Sequence, residues 1–119
     1  MEKPRKKLEA WKQSMDLVID VYRTTENFPS QEIYGLTNQI RRAAVSIPSN
    51  VAEGAARQTK KEFTNYLHIA QGSLSELDTQ LELARRLGFL DAQSWRDLDS
   101  RMVQIDKILT GLIRHVSKK

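Results

Sequence analysis

Four stretches of this 119-residue chain place apolar residues at alternating intervals of three and four positions. That spacing collects the apolar side chains on one face of an α-helix and favours packing of this face against a partner helix. The connections at 27–30, 58–59 and 88–91 are so short that consecutive helices must lie antiparallel beside one another. The pattern predicts an all-α fold, an antiparallel up-down-up-down four-helix bundle, in a single domain over residues 1–119.

The first two stripes predict helices over about residues 7–26 and 31–57. The first helix stops before Pro29, because a proline disfavours helical geometry in the residue that precedes it. Ser30 is the predicted N-cap of the second helix, and Glu32 lies in its first turn, where the helix dipole favours a negative charge. The two stripes consist of Leu8, Trp11, Met15, Val18 and Tyr22, and of Ile33, Leu36, Ile40, Ala43 and Ile47.

The third and fourth stripes have clear start and stop signals. Thr59 and Glu62 form a predicted capping box, Gly88 closes the third helix, and Asp91 is a good N-cap for the fourth. These helices are predicted over about residues 60–87 and 92–117. Their stripes are Phe63, Leu67, Ala70, Leu74, Leu77, Leu81 and Ala84, and Trp95, Leu98, Met102, Ile105, Leu109, Leu112 and Val116.

The second helix contains a proline in its apolar stripe. Pro48 lacks an N–H and crowds the carbonyl of Ala44, so the helix must be kinked near Pro48, or end and restart there. If the helix continues, polar residues recur on one face at intervals of four, three and four positions. These residues are Ser46, Asn50, Glu53 and Arg57.

Two compatible interpretations of this polar stripe are open. In the first, Asn50 and Glu53 satisfy backbone groups freed by Pro48, while Glu53 pairs with Arg57. Glu53→Ala then lowers the free energy of unfolding by about 1–3 kcal/mol if buried donors lose their acceptor, and changes it by less than about 0.5 kcal/mol if the carboxylate is solvated. In the second, a polar cluster lies at a kink where small residues permit close approach of another helix or subunit. The small residues are Ala52, Gly54, Ala55 and Ala56.

The sequence lacks the motifs of catalytic and metal sites. It has no cysteine, and neither His68 nor His115 has a second histidine or a carboxylate three or four positions away. No Gly-x-Ser-x-Gly turn or glycine-rich phosphate loop occurs. We therefore expect no enzymatic activity, no metal and no cofactor, and an enzyme that uses Glu53 or His68 is the weakest hypothesis.

The apolar runs are far shorter than the roughly 20 residues that cross a bilayer. The basic N-terminus is followed by the charged residues Glu9, Lys12 and Asp16, where a signal peptide would be apolar. We expect a cytoplasmic protein without a membrane partner.

Charge is unevenly distributed along this chain of net charge +4. Residues 41–61 carry five basic residues against Glu53 alone, whereas residues 62–84 carry four acidic residues and no lysine or arginine. The basic residues are candidates for phosphate contacts, above all if the lysine-rich N-terminus converges with them across subunits. The alternative is a solvated face that serves only solubility. The candidates are Arg41, Arg42, Arg57, Lys60 and Lys61.

Several apolar residues lie off the four stripes. Burial against another copy of the chain would explain them, and a ring is one symmetric outcome. Alternatively, wider stripes thicken the core of a single bundle. The off-stripe residues are Leu17, Val21, Leu83, Leu90, Ile108 and Ile113.

Three blocks of residues resemble the four helix bundle protein family, which includes proteins encoded by intervening sequences within 23S ribosomal RNA genes. The most specific block is Ser46-Ile-Pro-Ser-Asn-Val-Ala-Glu-Gly54, within a longer match over 39–54. The others are Phe28-Pro-Ser-Gln-Glu-Ile-Tyr-Gly-Leu36 and the segment 63–77, which contains Gly-Ser-Leu-Ser-Glu. The resemblance extends from Leu8 to Val116.

The resemblance implies a homopentameric ring and a relationship to the accessory variability determinant of diversity-generating retroelements, a basic protein that engages nucleic acid and a reverse transcriptase. Together with the basic residues, it leads to the hypothesis of a non-enzymatic oligomer that binds RNA or another nucleic acid. The alternative is an adaptor ring that binds a protein partner.

Overall fold

The computed structural model describes residues 3–118, apart from the side chains of residues 6 and 7. This part of the chain contains four α-helices and no strand: α1 (Glu9–Thr25), α2 (Leu36–Ala55), α3 (Lys60–Arg86) and α4 (Ala92–Ser117). Two short 3₁₀ helices, Pro4–Lys7 and Ser30–Glu32, precede α1 and α2. The predicted all-α fold with four helices is confirmed. None of the described helices has a stretch apolar and long enough to cross a membrane.

Helices that are adjacent in the chain are also adjacent in space. Each packs on the next, α4 packs back on α1, and the backbones of diagonally opposite described helices are not in contact. Thr25 at the end of α1 accepts a hydrogen bond from Arg41 near the start of α2, and Gln71 in the first half of α3 bonds Thr110 in the second half of α4. One end of the molecule therefore holds the start of α1, the end of α2, the start of α3 and the end of α4.

The apolar stripes of α3 and α4 form the core as predicted. Every stripe residue is buried except Phe63, Trp95 and Leu112, which are partly buried and pack against the core. Both helices bury one face against two neighbours, so a simple periodicity locates that face correctly.

The predicted stripe of α1 is wrong by about one position. Met15 and Tyr22 are 40% and 41% exposed, while Leu17 and Val21 are fully buried. The true inner face includes two hydroxyl residues that the apolar pattern disregards. Their hydroxyls donate to carbonyls one turn earlier, which satisfies them without water. These hydrogen bonds run from Ser14 to Ala10 at 2.7 Å and from Thr25 to Val21 at 2.8 Å.

The off-stripe residues are mostly part of the core. Leu17, Val21 and Leu90 are buried, and Ile108 and Ile113 are partly buried against the core. Leu83 alone of the six is an exposed residue, at 49%. Wider stripes therefore explain five of the six, and these five give no support for contact with another copy.

Both α1 and α2 begin later than predicted. Ser30 lies in a 3₁₀ helix and caps no helix through its side chain, and the N-cap of α2 is Gly35. Glu32 lies in the 3₁₀ helix that precedes α2, and its carboxylate accepts a hydrogen bond from the Leu36 N–H at 3.1 Å. That bond satisfies a backbone donor at the start of α2, where no intrahelical partner exists. Ile33 precedes the helix and is 48% exposed.

Pro48 does not end the second helix. α2 runs without interruption through Pro48 to Ala55, two residues short of the predicted end, so a stop and restart is excluded. Pro48 is itself buried. The kink near Pro48 stays a prediction.

The predicted N-caps of α3 and α4 are confirmed. Thr59 accepts the Glu62 N–H at 3.1 Å and Asp91 accepts the Ser94 N–H at 2.7 Å. The Glu62 carboxylate accepts from the Thr59 hydroxyl at 2.8 Å, in place of the Thr59 N–H that a capping box would use. Gly88 adopts a φ of 81° after α3, a left-handed conformation that favours glycine.

Candidate nucleic-acid interface

The first half of the polar stripe on α2 joins this helix to α3. The hydroxyls of Ser46 and Ser73 are 2.7 Å apart, and the Asn50 amide donates to the Ser46 carbonyl at 2.8 Å and to its hydroxyl at 2.9 Å. Pro48 deprives the Ala44 carbonyl of its usual donor, so Asn50 does not satisfy the group that Pro48 frees. Ser46 and Asn50 instead satisfy each other and a partner on α3.

Gly54 allows α3 to approach α2 closely. A Cβ atom at this position would lie 2.8 Å from Tyr66 Cβ and 3.0 Å from Phe63 Cδ1. The predicted close approach of another helix therefore occurs at Gly54, and the approaching helix is α3 of the same chain.

Glu53 is a surface residue. It pairs with Arg57 one turn later, and its side chain is 53% exposed. The prediction that it satisfies buried donors is therefore wrong, and Glu53→Ala should change the free energy of unfolding by no more than about 0.5 kcal/mol. Arg57 also donates to the Tyr66 hydroxyl at 2.9 Å and lies 5.0 Å over the Tyr66 ring. These contacts hold the Arg57 guanidinium in a defined position at the turn between α2 and α3.

The five predicted phosphate-binding residues do not form one site. Arg41 and Arg42 lie in the first half of α2, whereas Arg57, Lys60 and Lys61 lie at the turn between α2 and α3. Fifteen residues of nearly continuous helix separate Arg42 from Arg57, which is roughly 22 Å at the rise of an α-helix. The structure divides the candidates into two groups.

Arg41 is held against α1. Its Nε donates to the Thr25 hydroxyl at 2.9 Å, and its guanidinium lies 4.6 Å over the Tyr22 ring. Arg42, the next residue, is exposed and forms no ion pair among the described residues.

The second group belongs to a larger basic surface at one end of the bundle. We define the basic end as residues 3–12, 53–62 and 112–118, which contain ten Lys and Arg residues and three Glu residues. The net charge of +7 at this end exceeds the +4 of the whole chain, so the rest of the molecule is net negative. The N-terminal 3₁₀ helix packs against α2 and α1 here. The N-terminus and the α2–α3 turn thus converge within one subunit.

Three cations of the basic end were missed by the sequence prediction. Lys12, Arg114 and Lys118 are exposed, and they lie in α1 or at the end of α4, far in sequence from the α2–α3 turn. The predicted antiparallel order was the signal that could have located them, because it places both chain termini beside that turn.

Both histidines are exposed. Among the described residues, no three or more His, Cys, Asp and Glu side chains are grouped so that they could hold a metal ion.

The sequence profile of the family described as 23S rRNA-intervening sequence protein matches residues 6–111. The chain belongs to this family. The matched region includes all five predicted phosphate-binding residues and ends before Arg114 and Lys118. The family resemblance seen in the sequence blocks is confirmed.

A solved structure from Bacteroides thetaiotaomicron has the same fold. It is described as a protein with unknown function from the S23 ribosomal protein family, and it superposes with a TM-score of 0.81 at 23% identity. The alignment covers 88% of this chain and 95% of that one. No curated protein matches the chain. The two structures therefore share their fold over most of both chains.

Proposed function

We propose that this member of the 23S rRNA-intervening sequence protein family is a non-enzymatic oligomer that binds RNA or another nucleic acid through its basic end. The observation that carries the proposal is the concentration of charge there, +7 within three short segments of the chain. A nucleic acid presents closely spaced phosphates, and each one neutralised by a lysine or arginine releases condensed counterions.

The chemistry of the basic end favours backbone recognition. Lys60, Lys61 and Lys118 are exposed and flexible point charges, which suit phosphates of variable position. Arg57 differs, because Tyr66 and Glu53 orient its guanidinium. We therefore expect contacts that depend on phosphate charge and not on base sequence.

Charge reversal at the α2–α3 turn tests the proposal. In fluorescence anisotropy with a structured RNA, the double variant Lys60→Glu/Lys61→Glu should lose at least about tenfold in affinity. The slope of log affinity against log salt should become shallower by roughly 1.5–2, because two phosphate contacts are removed.

The matched control reverses two cations outside the basic end. Arg23→Glu/Arg96→Glu changes the net charge equally but alters exposed residues near the opposite end. This control should change the affinity by less than about threefold. Equal losses in both variants, or an affinity that barely responds to salt, would contradict a binding site at the basic end.

A second candidate function is an adaptor ring that binds a protein partner such as a reverse transcriptase. Large exposed apolar side chains favour it, because Ile19, Tyr34, Ile69, Leu87 and Val103 are each 48% or more exposed. Both candidate functions share the homo-oligomer, for which the resemblance implies five subunits. RNA binding unchanged by Lys60→Glu/Lys61→Glu would favour the adaptor.

A further inference from the structure

Two opposite faces of the bundle carry complementary groups. Because the helices follow one another around the bundle and the backbones of the diagonal pairs of described helices are not in contact, the face between α1 and α2 lies opposite the face between α3 and α4. We call these the α1–α2 face and the α3–α4 face.

The α1–α2 face is apolar and basic. Tyr34 is 92% exposed at the start of α2, an unusual environment for a large aromatic side chain. Arg41 and Arg42 line the same groove, and none of the described carboxylates lines it. Its other lining residues are Tyr22, Ile33, Asn38, Val45 and Ser46.

The α3–α4 face is acidic, with one exposed apolar side chain in its groove. Val103 is 49% exposed, whereas Leu74 and Met102, which also line the groove, belong to the buried core. Asp78 and Asp99 also line it, and neither forms a salt bridge with any described residue. Burial raises the pKa of Asp78, and the nearby charges of Asp99 and Glu82 raise it further. Asp106 and Lys107 line the groove as well, so its lining carries three carboxylates against one cation.

The complementary groups lie at the same level along the bundle. Arg42 is six residues after the start of α2, Asp78 eight residues before the end of α3, and Asp99 seven residues after the start of α4. At the rise of an α-helix, all three are about 9–12 Å from the same end of the molecule. Two copies side by side in the same orientation would place Arg42 of one opposite Asp78 and Asp99 of the other.

We propose that the α3–α4 face of one copy binds the α1–α2 face of the next, with Arg42 against Asp78 and Asp99 and with Tyr34 buried at the contact. This inference rests on the proposed oligomer and not on nucleic-acid binding. The two surfaces differ, so the contact is heterologous and propagates around a closed ring if the rotation closes. Arg41 and Arg42 then belong to the subunit interface, and the basic ends of all copies lie on the same side of the assembly.

Charge exchange between the two faces tests this interface. The molar mass of the full chain is measured by light scattering during size-exclusion chromatography, with circular dichroism to verify folding. Arg42→Glu and Asp99→Arg should each shift the wild-type oligomer to smaller species, with a rise of at least about tenfold in the dissociation constant. The double variant Arg42→Glu/Asp99→Arg should restore the oligomer, because the pair is re-formed with reversed signs. Arg96→Glu, outside both faces, should leave the mass unchanged.

Tyr34→Ala provides a second test that folding cannot confound, because this side chain is almost fully exposed. It should weaken assembly as Arg42→Glu does. A monomeric wild type, single variants that keep the wild-type mass, or a double variant that stays dissociated would overturn the interface. Binding of a short RNA by the wild-type protein separates the two proposals. A wild type that assembles but does not bind RNA contradicts only nucleic-acid binding at the basic end, and a wild type that binds RNA as a monomer contradicts the interface and leaves nucleic-acid binding intact.

Discussion

Gly54 lies where the backbone of α2 is closest to side chains of α3. A methyl group there would meet Tyr66 Cβ and the Phe63 carbonyl, at 2.8 and 3.2 Å, and neither atom is the end of a flexible side chain. The residue is required for its lack of a side chain and not for a special backbone conformation, because α2 is helical at this position.

Gly54→Ala should therefore destabilise the protein by about 1–3 kcal/mol, since overpacking outweighs the gain of up to about 1 kcal/mol in helix propensity. Gly72→Ala is the matched control, because an added Cβ at Gly72 in α3 has no described atom within 4 Å apart from its chain neighbours and the backbone of its own helix. The control should be neutral or stabilising. Urea unfolding of both variants measures the difference, and equal effects would show that α2 can move away from α3.

Asp91 links the stability of α4 to pH. The backbone N–H of Ser94, with a further contribution from the Ser94 hydroxyl, lowers the pKa of the Asp91 carboxyl. Because the folded pKa lies below the unfolded one, the stabilisation is present above the unfolded pKa and is lost as pH falls through the folded pKa. Asp91→Ala should lower the thermal midpoint at pH 7, and this deficit should shrink in acid. Asp91→Asn keeps the acceptor, so it should retain more stability than alanine while removing the pH dependence.

At the scale of the element, the apolar periodicity of α1 predicts the wrong buried face. The inner face includes the buried hydroxyl residues Ser14 and Thr25, while Met15 and Tyr22 lie partly outside. The apolar periodicity favoured the face of Met15 and Tyr22, because it counts apolar residues and disregards serine and threonine. The hydroxyls of these residues can be buried because they donate hydrogen bonds within the helix. By contrast, α3 and α4 have inner faces with few polar residues, and their predicted stripes are confirmed.

A pair of truncations distinguishes the two faces of α1. Leu17 is fully buried, so Leu17→Ala should cost about 2–5 kcal/mol in the free energy of unfolding. Met15 is 40% exposed, and Met15→Ala should cost less than about 1 kcal/mol. Denaturant unfolding measures both, and the reverse order would restore the stripe predicted from the sequence.

At the scale of the whole molecule, charge is separated along the bundle. The basic end carries +7 and the remainder is net negative, so the attraction for a polyanion is strongest at the basic end. If copies assemble side by side as proposed, several basic ends face the same way and a long RNA can contact more than one of them. Such contacts raise the effective concentration of the RNA at each remaining end.

Breaking the subunit interface should therefore affect long and short RNAs differently. Arg42→Glu should leave the affinity for an RNA that fits one basic end within about threefold, but should weaken an RNA that spans several ends by at least about tenfold. Lys60→Glu/Lys61→Glu should weaken both. Anisotropy titrations with RNAs of two lengths make the comparison, and an equal loss for both lengths on Arg42→Glu would place Arg42 in the nucleic-acid site.

The sequence by itself determined the number of helices, the caps of α3 and α4 and the inner faces of these two helices. These features depend on a local period, on Thr59 and Asp91 as N-caps and on Gly88 as a helix end, and all of them act within a few residues. The family blocks were also recognisable, since they are contiguous segments of the chain.

Only the tertiary structure decided which face of α1 is buried and where the charged residues lie. The first depends on two neighbouring helices at once, and the buried hydroxyls of Ser14 and Thr25 are compatible with either face until those neighbours are placed. The second depends on distance: about 22 Å of α2 separates Arg42 from Arg57, while antiparallel packing brings Lys12 and Arg114 to the same end from opposite halves of the chain. Proximity in space, which sets electrostatic potential, is a property of the packed helices and not of their order in the sequence.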